Sequence, residues 1–125
     1  MMLTVISPAK KLDYRSPVTA TAHTQPALLK HSQELLEGLK KLSPQDVCRL
    51  MGLSDKLGAL NYERFQEWSA PFNEGNARQA VLAFKGDVYQ GLDAGSMSNT
   101  ELQWAQDHLR ILSGLYGVLR PLDLM

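Results

Sequence analysis

LTVISPAKKLDY, Leu3–Tyr14, is the stretch on which the fold class turns. Leu3–Ser7 is a short apolar run rich in β-branched residues and stopped by Pro8. That pattern suits a strand and is too short for a helix. Lys10, Lys11 and Asp13 follow at once, so the end of the strand is charged. A phosphate of a nucleic acid, a phosphate of a small ligand and plain water are the candidates for what faces it.

Two more strand signals lie far along the chain. Ala80 to Phe84 is continuously apolar and reads, with Lys85, as a buried strand. Two short strand-like runs fall near Ile111–Leu119, around Ser113-Gly114 and Gly117. The segments between them are helical or loop. Arg15 to Gln25, rich in Thr, Pro and Ala, reads as loop. Thr24 is placed to cap a helix with Pro26 in its first turn, and Leu28, Leu35, Leu36, Leu39 and Leu42 form its core stripe. Asp87 is placed to cap a short helix through Val88, Tyr89 and Leu92, and another helix runs from Thr100 to about Arg110. Strands separated by helices give a mixed α/β (α+β) chain with a small mixed sheet flanked by helices.

SPQDVCRLMGLSDKLGALNYERFQEW, Ser43–Trp68, carries a denser set of signals. Ser43 caps, Pro44 opens, and Val47, Leu50 and Met51 make a short helix that Gly52 ends. Ser54 then caps a second helix with Leu57, Leu60, Phe65 and Trp68. Such a tight helical hairpin is either a packing unit or a phosphate-binding element. In the second case Gly52 lets backbone N–H groups approach a phosphate at the second helix's positive N-terminus, and Lys56 adds charge. The local excess of acidic residues over residues 42–75, five against three basic, opposes this.

The composition narrows the choices. At 125 residues the chain is one domain by size and needs no staple to bury a core. Basic and acidic side chains are 13 each, which argues against a generally basic nucleic-acid coat or a polybasic membrane patch. Residues 1–41 hold six basic and three acidic side chains, so an anion-binding surface would be local and near the N-terminus. The single cysteine, Cys48, excludes an internal disulfide and suits a reducing cytoplasm as a small buried hydrophobe. No apolar run approaches the length of a membrane helix. A soluble, cytoplasmic protein without a membrane partner is expected.

Ligands of open α/β sheets bind outside the carboxyl ends of strands, where Lys10, Lys85 and Arg120 fall. If the strands run parallel, the three cations share a crevice; otherwise each is solvated or paired with Asp13, Asp87 or Asp123. His23, His31, His108 and Cys48 share no metal-ligand spacing, so neither a metal site nor a cofactor is assigned. GxSxG, P-loop and GxGxxG patterns are absent, and no catalytic residue or reaction is asserted.

ISPAKKLDY, LMGLSDKLGALNYERF, NARQAVLAFKGDVYQGL and HLRILSGLYGVLRPLDLM closely resemble, in order and spacing, the YaaA family of bacterial peroxide stress proteins. Family members run to about twice this length, so residues 1–125 resemble the N-terminal part of a single domain. The apolar LYGVLRPLDLM block reads as though the chain were cut there, leaving a sheet edge or apolar face to be covered by the missing C-terminal half or by self-association. The resemblance implies a protein that limits oxidative damage and free intracellular iron, with a positively charged cleft and a helix-hairpin-helix element that binds DNA largely without regard to sequence. Carried over, the hairpin falls on Leu50–Asn61, with Gly52, Ser54, Lys56 and Asn61 as nucleic-acid contacts. The cleft cations are Lys10, Lys85, Arg110 and Arg120, and Lys11 stands where the family usually has a small hydroxyl residue.

Overall fold

A computed structural model describes residues 2–18, 20 and 22–125. Their contacts sort into two compact units, Lys30–Pro71 and the flanking segments up to Leu29 and from Phe72 to Met125.

The flanking segments build the sheets, and the fold is mixed α/β as the sequence implies. β1 (Thr4–Ile6) pairs in parallel with β4 (Leu109–Ser113), which pairs antiparallel with β5 (Gly117–Leu119), giving the order β1-β4-β5. Ile6 stands opposite Ile111, and Ile111 opposite Leu119. Ile111 and Leu119 are fully buried, which contributes roughly 1.5–3 kcal/mol for each side chain. A second, two-stranded ribbon joins β2 (Lys11–Leu12) to β3 (Phe84–Lys85). Helices α4 (Ala80–Ala83), α5 (Asp87–Leu92) and α6 (Asn99–His108), with a 3-10 turn at Ala94–Ser96, complete the unit. Ala20, Val81, Ala94, Leu102 and Leu122 form one core cluster.

Pro121–Met125 is buried throughout. Asp123 bridges to Thr24 in parallel and Leu124 to Gln79 antiparallel. Backbone hydrogen bonds tie this segment to Thr24, Arg78, Ala80 and Val81. Asp123 itself is 1% exposed and is satisfied by the Thr24 hydroxyl at 2.6 Å and by Arg120, whose backbone N–H donates at 2.7 Å and guanidinium at 2.9 Å.

Lys30–Pro71 is helical. α1 (Leu29–Leu39) reaches one residue beyond it, and α2 (Pro44–Met51) and α3 (Asp55–Glu67) form the expected hairpin. Lys40 Nζ donates to the Trp68 carbonyl at 2.9 Å and Gln66 donates to the Lys40 carbonyl at 2.9 Å, so side chains fasten the end of α3 to the end of α1.

Five local expectations need correction. The Ala80–Lys85 run is strand only at Phe84–Lys85. Ala80–Ala83 is a helical turn, because two alanines favour helix and a short buried apolar run does not distinguish the two states. Thr24 does not cap a helix: its hydroxyl is taken by Asp123, and α1 starts later, at Leu29. Gly86, not Asp87, is the N-cap of α5, and α6 stops at His108 so that Arg110 lies in β4. The leucine stripe is only partly core, since Leu36 is buried while Leu28 and Leu35 are 41% and 50% exposed. Arg15–Gln25 is irregular apart from the Thr24 bridge, with Thr19 and Thr21 outside the described residues. Among the described residues, no helix is long and apolar enough to cross a membrane.

Candidate nucleic-acid interface

The hairpin turn follows directly from its caps. Ser43 and Asp46 close a capping box, with Asp46 N–H donating to Ser43 Oγ at 3.1 Å and Ser43 N–H to Asp46 Oδ2 at 3.3 Å. Hydrogen bonding by Ser43, and then the neighbouring Arg49, holds the Asp46 carboxyl below its ordinary value. Gly52 ends α2 in the left-handed region at φ 63°, where a side chain is strained, and the N–H groups of Gly52 and Leu53 both donate to the Cys48 carbonyl. Ser54 caps α3 by accepting the Leu57 N–H at 3.3 Å.

The helices touch at Gly58. A Cβ there would lie 1.9 Å from Cys48 Sγ, so only glycine permits this approach with Cys48 in place. Cys48 in turn donates to the Ser54 carbonyl at 3.5 Å. This cysteine therefore sits in the joint between the helices, half-buried.

The first N–H groups of a helix have no partner within it. With the Leu57 N–H taken by Ser54, helix geometry leaves those of Asp55 and Lys56 directed out of the exposed turn. Gly52, Ser54 and Lys56 are thus brought together at one exposed corner. Asn61 is not: it is half-buried farther along α3, and its amide donates to the Leu57 carbonyl at 2.8 Å.

The cations of the other unit divide into two kinds. Arg110 and Arg120 are engaged in structure. Arg110 Nη1 donates to the carbonyls of Gln106 at 2.7 Å and Leu109 at 2.8 Å, covering the C-terminal end of α6 where a cation is favoured. Arg120 neutralises buried Asp123 and donates to the Gln25 carbonyl at 3.0 Å. The parallel arrangement that would converge all strand-end cations is not the one found, since β5 is antiparallel to β4 and β3 lies in the separate ribbon.

That ribbon makes a different juxtaposition. Lys11 and Lys85 are direct cross-strand partners and both are exposed, while beside them Leu12 faces buried Phe84. Like charges directly opposite one another repel unless an anion lies between them. No local pattern marks Lys11 as the partner of Lys85, because the pairing spans most of the chain. The exposed Lys10 immediately precedes the ribbon, and the Ser7–Lys10 loop leading to it is fixed on α5, with Tyr89 Oη donating to the Ser7 carbonyl and Gly86 against Ala9. Burial pushes the Tyr89 phenol up to about 12, so it stays a donor. Asp13 is drawn away from these lysines. It accepts the backbone N–H groups of Arg15 and Ser16 and pairs with Arg78 at 3.7 Å. The Ser16 side chain, then these N–H groups and Arg78, hold its carboxyl well below the usual range.

Among the described residues, no group of three or more His, Cys, Asp or Glu side chains is placed to hold a metal ion. His23 faces Glu74 at 3.4 Å, and His108 stacks on Trp104 at 4.0 Å.

A sequence profile for the peroxide stress protein YaaA matches residues 2–125. The chain belongs to the YaaA family of peroxide stress proteins. It is 64% identical over 124 residues to a UPF0246 protein of Teredinibacter turnerae, which covers 99% of this chain and 48% of that relative. The same identity and coverage relate it to a UPF0246 protein of Saccharophagus degradans, and 56% identity relates it to one of Burkholderia orbicola. The chain thus spans about half the length of these relatives, 48% in each case.

Proposed function

We propose that this YaaA-family chain serves the peroxide stress response by holding DNA through its phosphates, with the Gly52–Lys56 turn as a contact. The observation that supports this reading is the exposed corner itself. A left-handed glycine, a serine cap and a lysine stand at the start of a 13-residue helix whose partner helix is locked against it at Gly58. Phosphate contacts of this kind position a protein without reading bases. Asp55 beside Lys56 offsets part of the charge, so binding from this turn alone is weak, about micromolar or poorer. In this reading the protein works in the cytoplasm, shields DNA from oxidative damage, and lowers free iron by a route other than a ligand cage in these residues. The partner half of the polypeptide adds to the binding surface.

Titration of duplex DNA against a chain of the relatives' full length, at several salt concentrations, tests the reading. Affinity should be independent of sequence and fall with a log–log slope of about −0.9 per phosphate neutralised. Lys56→Ala should lower that slope by about one unit. Equal affinity and slope with and without the change would reduce the hairpin to a packing unit.

The Lys11–Lys85 pair favours a second reading, a site for a small phosphate-bearing ligand. Calorimetry with inorganic phosphate and nucleoside phosphates separates the two: Lys11→Ala or Lys85→Ala should abolish such binding, while Lys56→Ala should leave it intact.

A further inference from the structure

The ribbon of β2 and β3 carries a charge arrangement that its neighbours do not balance. Lys11 and Lys85 are directly opposed across it and both are exposed, so their side chains leave one face from Cα atoms about 4.5–5.5 Å apart. The Asp13 N–H donates to the Ala83 carbonyl at 2.6 Å, which continues the same register by two residues. Alternation then puts Asp13 on the face of Lys11, the natural place for a counter-charge. Its carboxylate is used elsewhere: Oδ1 accepts the N–H groups of Arg15 and Ser16 at 2.9 and 3.0 Å and faces Arg78 at 3.7 Å. Asp87, two residues after Lys85, opens α5 and is exposed. Among the described residues, no ion pair joins Lys11 or Lys85 to an acidic side chain.

The two strands are also held together from beneath. Tyr89 grips both: its hydroxyl donates to the Ser7 carbonyl, at the start of the loop that leads into β2, and its ring stacks on Phe84 of β3 at 5.3 Å, with both rings buried. The lysines therefore rise from a fixed base and cannot separate by parting the strands. Like charges directly opposed destabilise a strand pair, and an anion that takes both ammonium groups at once relieves the repulsion. Two lysines carry two positive charges. A phosphate held by a single ester bond carries about −1.5 to −2 at pH 7, whereas each phosphate inside a nucleic-acid strand carries a single negative charge.

We infer that the Lys11–Lys85 pair is a seat for a phosphomonoester, the doubly charged phosphate at the end of a nucleotide or of a DNA strand, and that it discriminates against the singly charged diester. This rests on the second reading above, in which the pair takes a phosphate, and adds which phosphate it takes. Lys11 is the discriminating residue. Lys85 alone balances a diester, and the second ammonium group answers only the additional charge of a monoester. The site is separate from the Gly52–Lys56 turn, whose contacts are to phosphates within the strand.

The test uses a chain of the relatives' full length, at low salt and about pH 8, where a monoester holds both charges. AMP and cyclic AMP present the same nucleoside as mono- and diester. In calorimetry AMP should bind at least about tenfold more tightly, the worth of one added charge beside an exposed cation. Lys11→Thr should bring that ratio close to one. Lys85→Glu gives Lys11 a partner across the ribbon, so it should abolish AMP binding without lowering the thermal midpoint. One duplex with phosphorylated and with unphosphorylated ends separates the sources. A preference for the phosphorylated duplex places the monoester on DNA, and a preference confined to AMP places it on a free nucleotide; either supports the proposal. Equal binding within both pairs would overturn it and leave the second reading standing, whereas no binding of either nucleotide and no preference between the duplexes would overturn both. AMP binding that survives Lys85→Glu would overturn it as well.

Discussion

Lys30–Pro71 and the unit built from its flanking segments are stabilised over very different stretches of chain. In Lys30–Pro71 the capping bonds join residues three apart, and even the hydrogen bonds from Lys40 to Trp68 and from Gln66 to Lys40 span only 28 and 26 positions. In the other unit Thr24 reaches Asp123 across 99 positions, Arg120 reaches Gln25 across 95, and Tyr14 donates to the Met125 carbonyl across 111. Closing longer loops costs more entropy, and nothing is recovered until the distant partner arrives. The hairpin therefore accumulates stability step by step, whereas the sheet unit depends on a few late contacts.

The two tryptophans make this difference measurable, because Trp68 lies in one unit and Trp104 in the other. With Trp104→Phe, fluorescence follows Lys30–Pro71; with Trp68→Phe, it follows the sheet unit. The largest effect should come from deleting Pro121–Met125, which removes six backbone hydrogen bonds to Thr24, Arg78, Ala80 and Val81. The Trp104 transition should disappear while the hairpin's helical circular dichroism survives. Simultaneous loss of both would show that the two regions do not differ in this way.

Next is Asp123→Ala, which takes the carboxylate from the Arg120 guanidinium and the acceptor from the Thr24 hydroxyl, leaving Arg120 its bond to the Gln25 carbonyl. Removing one partner of a buried ion pair typically costs 3–5 kcal/mol; since Arg120 is 37% exposed, about 3 kcal/mol is expected here in urea unfolding followed at Trp104. Gly58→Ala should cost the hairpin about 2 kcal/mol through overpacking against Cys48, read at Trp68. Cys48→Ala added to it should restore only part, because Cβ of residue 48 would still lie 3.3 Å away. Ser43→Ala should cost about 1 kcal/mol, again at Trp68 alone.

The smallest effect is on pH dependence. Asp46 and Asp13 both have depressed folded-state values, so the stability each contributes is present above the ordinary value of 3.8 and is lost as pH falls through the folded one. Both units should weaken below about pH 4, with the Asp13 contribution persisting to lower pH because its carboxyl is held lower. Carboxylate titration by NMR checks the order.

The same contrast explains what could be read from the sequence. Ser43, Pro44, Gly52 and Ser54 announce the hairpin because caps and stops act within a few residues. Leu3–Ser7 announces a strand, but nothing local says that Thr4 will face Leu109. Ala80–Ala83 shows the failure in its simplest form, since a buried apolar run fits helix and strand alike and tertiary packing chooses. Thr24 has the residue type of a cap, yet a carboxylate 99 positions away claims its hydroxyl. At the candidate sites the Gly52–Lys56 corner was legible for the reason the hairpin was. The Lys11–Lys85 pair was not, and the engagement of Arg110 and Arg120 with carbonyls and Asp123 depends on geometry that composition does not carry.

The Thr24–Asp123 contact also sets a schedule for the nascent chain. At about 5–20 residues per second, a ribosome delivers Asp123 roughly 5–20 s after Thr24. Helical segments such as those of Lys30–Pro71 form in about a microsecond once free to do so. For those seconds the growing polypeptide carries finished helices and, ahead of them, an apolar strand with no partner. Val5 and Ile6 gain their strand partners only once Arg110 and Ile111 have been made.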